Sequence, residues 1–127
     1  RNMYWTIKGT DGCRVLKELD KRNTDIEIIK KRYSAFFGTN LDSILTKSKA
    51  QTLLLAGVNT HACVRMTAID AFQRDYNVLI ALDCIDSYNK EYHEVSLKYL
   101  LDGIAEGYKN SELISLWGES ADSIWVK

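Results

Sequence analysis

The sequence predicts an α/β domain built on an open parallel sheet sandwiched by helices, and three observations carry that reading. Two apolar runs, Leu53–Ala56 and Asn77–Asp83, have strand length and read as strands covered on both faces. Between them lie about 18 residues of helix and turn, the length of a right-handed crossover joining parallel strands. An amphipathic stretch from about Lys90 to Asp102 then leads into a short apolar segment, so strand and helix alternate as in a doubly wound fold. With 127 residues, no proline, 46% hydrophobic content, no repeat and no linker, residues 1–127 read as a single domain.

Taken in order, residues 1–9 carry Tyr4 and Trp5 but no clear element. Thr10 or Asp11 can cap a short helix with Val15, Leu16 and Leu19 on one side. Asp25–Ile29 alternates as a strand and delivers Lys30, Lys31 and Arg32 at its end. Tyr33–Thr39 is an aromatic-lined loop, and Asn40 caps a brief helix containing Leu41, Ile44 and Leu45. The stretch Gln51–Asp70 reads as strand, tight turn and helix. Gly57 ends the strand, and Asn59 and Thr60 cap a helix that begins near His61 and runs through Ala68, Ala71 and Phe72. Small residues on that helix let it lie close to the sheet. In the Lys90–Asp102 helix Val95, Tyr99 or Leu100, and Leu101 are expected to face inward. Gly103 and Gly107 bracket a short final strand, Ile104–Glu106, and SELISLWGES forms a small helix; the tail SIWVK is ambiguous.

Cys63 sits where the strand hands over to the helix. A helix start presents unpaired N–H groups and the positive end of a dipole, so a thiol there ionises more readily than one in apolar packing. Cys63 is therefore a candidate nucleophile, the other reading being a small buried cysteine filling a helix–sheet gap. Ligands of open α/β sheets bind at the carboxyl ends of the strands, and Lys30, Cys63 and Asp83 each fall at or just past such an end. His61, two residues before Cys63, reads as a cap or pocket-rim residue, because the two side chains diverge on a helix. His93 reads as ordinary helix surface, Cys13 and Cys84 as packing residues, and Asp83 as ordering the DCIDS turn.

Composition excludes some functions. The net charge is zero and the longest basic block is KKR, so neither nucleic acid nor a membrane surface is an expected partner. No apolar run approaches the ~20 residues that span a bilayer. Three widely spaced cysteines match no zinc pattern and fit a reducing, cytoplasmic setting, and with two histidines no metal site is expected in this chain.

The segments KKRYSAFFGTNLDSIL and LLLAGVNTHACVRMTAIDAFQRDYNVLIALDCIDS resemble the isochorismatase-like cysteine hydrolase superfamily, over roughly residues 5–115. The resemblance implies a parallel sheet between helices, an Asp–Lys–Cys triad, no cofactor, and a homo-oligomer acting on a small molecule. Carried over by position, Cys63 matches the nucleophile and Lys30 the triad lysine, with Lys31 the alternative if the register slips by one. The resemblance further implies a cis peptide between Val58 and Asn59, and an oxyanion hole from the N–H groups of Asn59 and Cys63. Tyr33, Phe36 and His61 match pocket-lining positions, with core packing the equal alternative for Phe36, while Thr67 and Asp70 match a family helix in which Asp70 is a structural partner. Family members that cleave isochorismate carry Gly in place of Cys63, so the thiol favours hydrolysis of an amide, ureide or carbamoyl compound. The metal site of nicotinamidases uses residues that have no counterpart in this chain.

The triad acid of the family ends its first, central strand, and this chain has no such strand; Asp11 and Asp25 do not occupy the matching position. The expectation is an incomplete domain missing the first central strand or strands, inactive or nearly so by itself. Two other readings are a degenerate member serving as a binding or oligomerisation module, and a redox-active thiol protein.

Overall fold

A computed structural model of the chain describes residues 6–118. The expectations for Tyr4 and Trp5, for the end of the last helix and for the SIWVK tail lie outside the described residues. Three strands, β1 (Thr52–Val58), β2 (Asn77–Asp86) and β3 (Glu106–Tyr108), form a parallel sheet in the order β1-β2-β3. The helices are α1 (Leu41–Ser48), α2 (Arg65–Phe72), α3 (Lys90–Leu101) and α4 (Asn110–Gly118). Each pair of neighbouring strands is thus joined by a helical crossover, as the spacing of the apolar runs predicts.

Both crossovers are held by tight packing. Ala68 and Ala71 of α2 have no exposed surface and bring the helix close to Val78 and Ile80 of β2. Leu100 of α3 is fully buried in the same cluster. Of the expected inward set on α3, Leu100 is buried, along with Ser96 one turn earlier, whereas Val95, Tyr99 and Leu101 are exposed. One residue on a helix is a rotation of about 100°, enough to exchange core for solvent. Asn89 caps α3, its Oδ1 accepting from Tyr92 N at 2.9 Å. Asn89→Ala is expected to cost about 1 kcal/mol, read as a lower urea midpoint, with Asn89→Asp close to the parent.

Strand β2 runs three residues beyond its predicted end, because its pairing with β1 resumes after an irregularity. Leu55 lies opposite Ile80, but Gly57 lies opposite Ile85 and Val58 opposite Asp86. Gly57 has φ +124°, a backbone that side chains disfavour, although a Cβ there would meet nothing within 4 Å. The last strand is displaced from the predicted Ile104–Glu106. The amides of Ile104 and Ala105 both bond the Leu100 carbonyl, closing the end of α3, and are not free for a ladder. Pairing therefore starts at Glu106.

The segment before α1 departs most from expectation. Asp25–Ile29 is not a strand, and Ile29 is 79% exposed. A strand needs a neighbour for its backbone groups, and none of the described strands pairs with this segment. The predicted helix after Thr10 is reduced to two single 3₁₀ turns, Asp11–Cys13 and Lys17–Leu19, with Val15, Leu16 and Leu19 exposed. From Ser34 onward the chain is anchored. Ala35 N donates to Thr67 Oγ1 of α2 at 3.0 Å, and Phe36 packs in the core, stacked on Tyr76 and beneath the Arg74 guanidinium. The α1 cap hydroxyl is that of Thr39, which accepts from Leu41 N, rather than the side chain of Asn40.

Candidate active site

The site lies at the carboxyl edge of the sheet, where β1 and β2 end side by side. Beyond β1 the chain winds one π-type turn, Thr60–Val64, before entering α2. Such wide turns are rare and concentrate at functional sites. The Val58–Asn59 peptide is cis. Asn59 turns its carbonyl into the helix start, accepting from Ala62 N at 3.1 Å and Val64 N at 3.2 Å. Neither predicted cap side chain caps the helix. Asn59 Oδ1 instead accepts from Tyr88 N at 3.4 Å, and the Thr60 hydroxyl bonds His93.

Cys63 is half-buried in this turn, and its sulfur has a cationic neighbour. Lys30 Nζ donates to Cys63 Sγ at 3.2 Å and to the Arg32 carbonyl at 3.1 Å. The second bond curls the chain after Lys30 back on itself and fixes the ammonium over the thiol. It is Lys30 and not Lys31 that reaches the sulfur. A nucleophilic thiol needs such a neighbour within hydrogen-bond reach. No Asp or Glu among the described residues bonds either partner.

His61 points to a different neighbourhood. Its backbone N–H donates to Ser87 Oγ at 3.3 Å, and its Nδ1 lies 2.9 Å from the same oxygen. The ring packs edge-on to Tyr88 and tilted against Tyr92, with centroids 5.0 and 5.3 Å away. This aromatic group on the rim, with Tyr88 and Tyr92 exposed, carries no sequence signal. Its members become neighbours only because β1 and β2 are parallel and end together.

Several single-residue expectations are corrected. Phe36 is 4% exposed and packs in the core, so it does not line a pocket; Tyr33 is about half exposed. His93 is not ordinary surface, since its ring bonds a buried hydroxyl. Asp83 does not order the following turn; its carboxylate accepts from Asn110 N at 2.7 Å, at the start of α4. Cys13 and Cys84 are exposed rather than packed. Asp70 lies 3.8 Å from Arg74, which also bonds Asp42 at 2.9 Å and ties α1 to α2. Among the described residues no three His, Cys, Asp or Glu side chains converge as metal ligands would, and no helix is long and apolar enough to cross a membrane.

The isochorismatase domain matches residues 1–107. The chain belongs to this family. An isochorismatase-like hydrolase from Alkaliphilus metalliredigens superposes with a TM-score of 0.83 at 33% identity, over 87% of this chain and 62% of that one. The N-carbamoylsarcosine amidase of Thermoplasma acidophilum superposes with a TM-score of 0.74 at 31% identity, over 82% and 59%. A protein of Arabidopsis thaliana described as a probable inactive nicotinamidase is 40% identical over 93 residues, 72% of this chain and 47% of its own. This isochorismatase-family chain spans about half the length of the curated relatives it matches. The solved relatives are hydrolases, an amidase among them, on the same open parallel sheet.

Proposed function

We propose that this chain carries the nucleophile of a cysteine-dependent hydrolase acting on a small amide, ureide or carbamoyl compound. The observation that supports this most directly is the 3.2 Å bond from the Lys30 ammonium to the Cys63 sulfur. The thiolate attacks the carbonyl carbon, forming a C–S bond and placing negative charge on the carbonyl oxygen. The N–H groups of Asn59 and Cys63 stabilise that oxyanion, a contribution of about 3–4 kcal/mol for an essential donor. The C–N bond then breaks and ammonia or an amine leaves with a proton, giving a thioester. Water hydrolyses the thioester to the acid and returns the thiol. The proton for the leaving nitrogen needs a carrier, the role of the acid in the family's triad motif, and no Asp or Glu among the described residues bonds Cys63 or Lys30.

The likeness to an N-carbamoylsarcosine amidase supports C–N bond hydrolysis over vinyl-ether cleavage. A second reading, a degenerate member that binds without turnover, draws on the relative described as probably inactive. The two separate on intact mass after mixing the full-length gene product with a panel of primary amides and ureides. Ammonia release as a covalent acyl adduct forms and maps to Cys63, followed by decay of that adduct to the acid, is the expected result. Binding with neither adduct nor ammonia overturns the hydrolase reading.

A further inference from the structure

The Thr60 hydroxyl is fully buried three residues ahead of Cys63, and its partner comes from a separate element: Nδ1 of His93 on α3, 2.9 Å away. Neither residue has a part in the chemistry above. A buried hydroxyl cannot trade a lost partner for water, so this bond sets the spacing between the turn and α3 rather than decorating it. The turn is fixed along the strand direction by the Asn59 carbonyl, which takes the amides of Ala62 and Val64. The Thr60–His93 bond supplies a hold from the side. Cys63 rides on the same turn, and at 3.2 Å from Lys30 its sulfur leaves hydrogen-bond range if the turn moves by about an ångström.

We infer that His93 is a positioning residue, which through Thr60 holds the Thr60–Val64 turn so that the Cys63 sulfur stays on the Lys30 ammonium. The inference rests on reading Cys63 as the nucleophile. It is tested in a Cys13→Ser, Cys84→Ser background, where the rate of iodoacetamide alkylation reports Cys63 alone. His93→Leu, which keeps bulk and loses the bond, is expected to slow alkylation at neutral pH by about tenfold. His93→Asn is expected to stay close to the parent, because an amide atom attached to Cγ falls where Nδ1 sits. Thr60→Val breaks the bond from the other side and is expected to match His93→Leu. The double variant should be no slower than either, since two changes to one interaction do not add.

A merely structural role lowers the melting temperature without changing the rate in the folded protein or separating Asn from Leu. A folded His93→Leu that alkylates at the parent rate or faster, an Asn variant as slow as Leu, or additive losses overturns the inference. Where His93→Leu does not fold, Thr60→Val decides alone by the same criterion. A parent Cys63 that reacts no faster than free cysteine overturns the nucleophile reading itself, whereas a fast parent with an unchanged variant overturns only the role of His93.

Discussion

Cys63→Ala is expected to lower ammonia release by the full-length gene product by at least about 10⁴-fold, with the melting temperature nearly unchanged. The magnitude follows from the mechanism. Without the sulfur no thioester forms, and what is left is the oxyanion donors and substrate binding acting on direct attack by water. The small stability effect follows from the half-buried position, in which a short side chain at the sheet edge supports little of the core. Equal ammonia release by parent and variant, assayed with the amide that gives the highest parent rate, removes Cys63 from the chemistry.

Lys30→Met is expected to cost about 10²–10³-fold in the same assay. Methionine keeps most of the side-chain length and removes the charge, so the loss reads the cation rather than packing. The same variant should alkylate Cys63 about tenfold more slowly at neutral pH, because the sulfur loses the partner that Lys30 provides at 3.2 Å. Lys31→Met is the internal control. Its side chain does not reach the sulfur, and both rates should stay within about twofold of the parent, as for an ordinary surface substitution. Loss on Lys31→Met with an unaffected Lys30→Met would reverse the assignment of the two lysines.

The legible parts of the fold were those whose signal is local. The runs Leu53–Ala56 and Asn77–Asp83 announce buried strands through their own composition, and the small residues Ala68 and Ala71 announce a helix lying close to the sheet. The short strand failed by two residues, because the fate of the Ile104 and Ala105 amides depends on a carbonyl at the end of α3. Asp25–Ile29 failed for the opposite reason: its alternation is sound, but a strand is a property of a pair, and none of the described strands pairs with it. At the site, Cys63 and Lys30 were legible through the motifs around them. His93, Ser87, Tyr88 and Tyr92 were not, since each becomes relevant through a residue at least 26 positions away. Phe36 stayed open between pocket and core because an aromatic in a loop next to a motif lysine looks the same whether it faces substrate or, as here, Tyr76 and Arg74.

The turn that carries the thiol is gripped from both directions along the chain, by Lys30 upstream and His93 downstream, each bond spanning 33 residues. A ribosome synthesising this protein therefore makes the sulfur and its ammonium well before it makes the imidazole that completes the grip. Until the downstream helix has emerged, the nascent chain holds both partners of the first bond but not the second bond that grips the turn. The double grip on the turn is thus a late acquisition in the life of the polypeptide, gained only when sequence on either side of the thiol has come together around it.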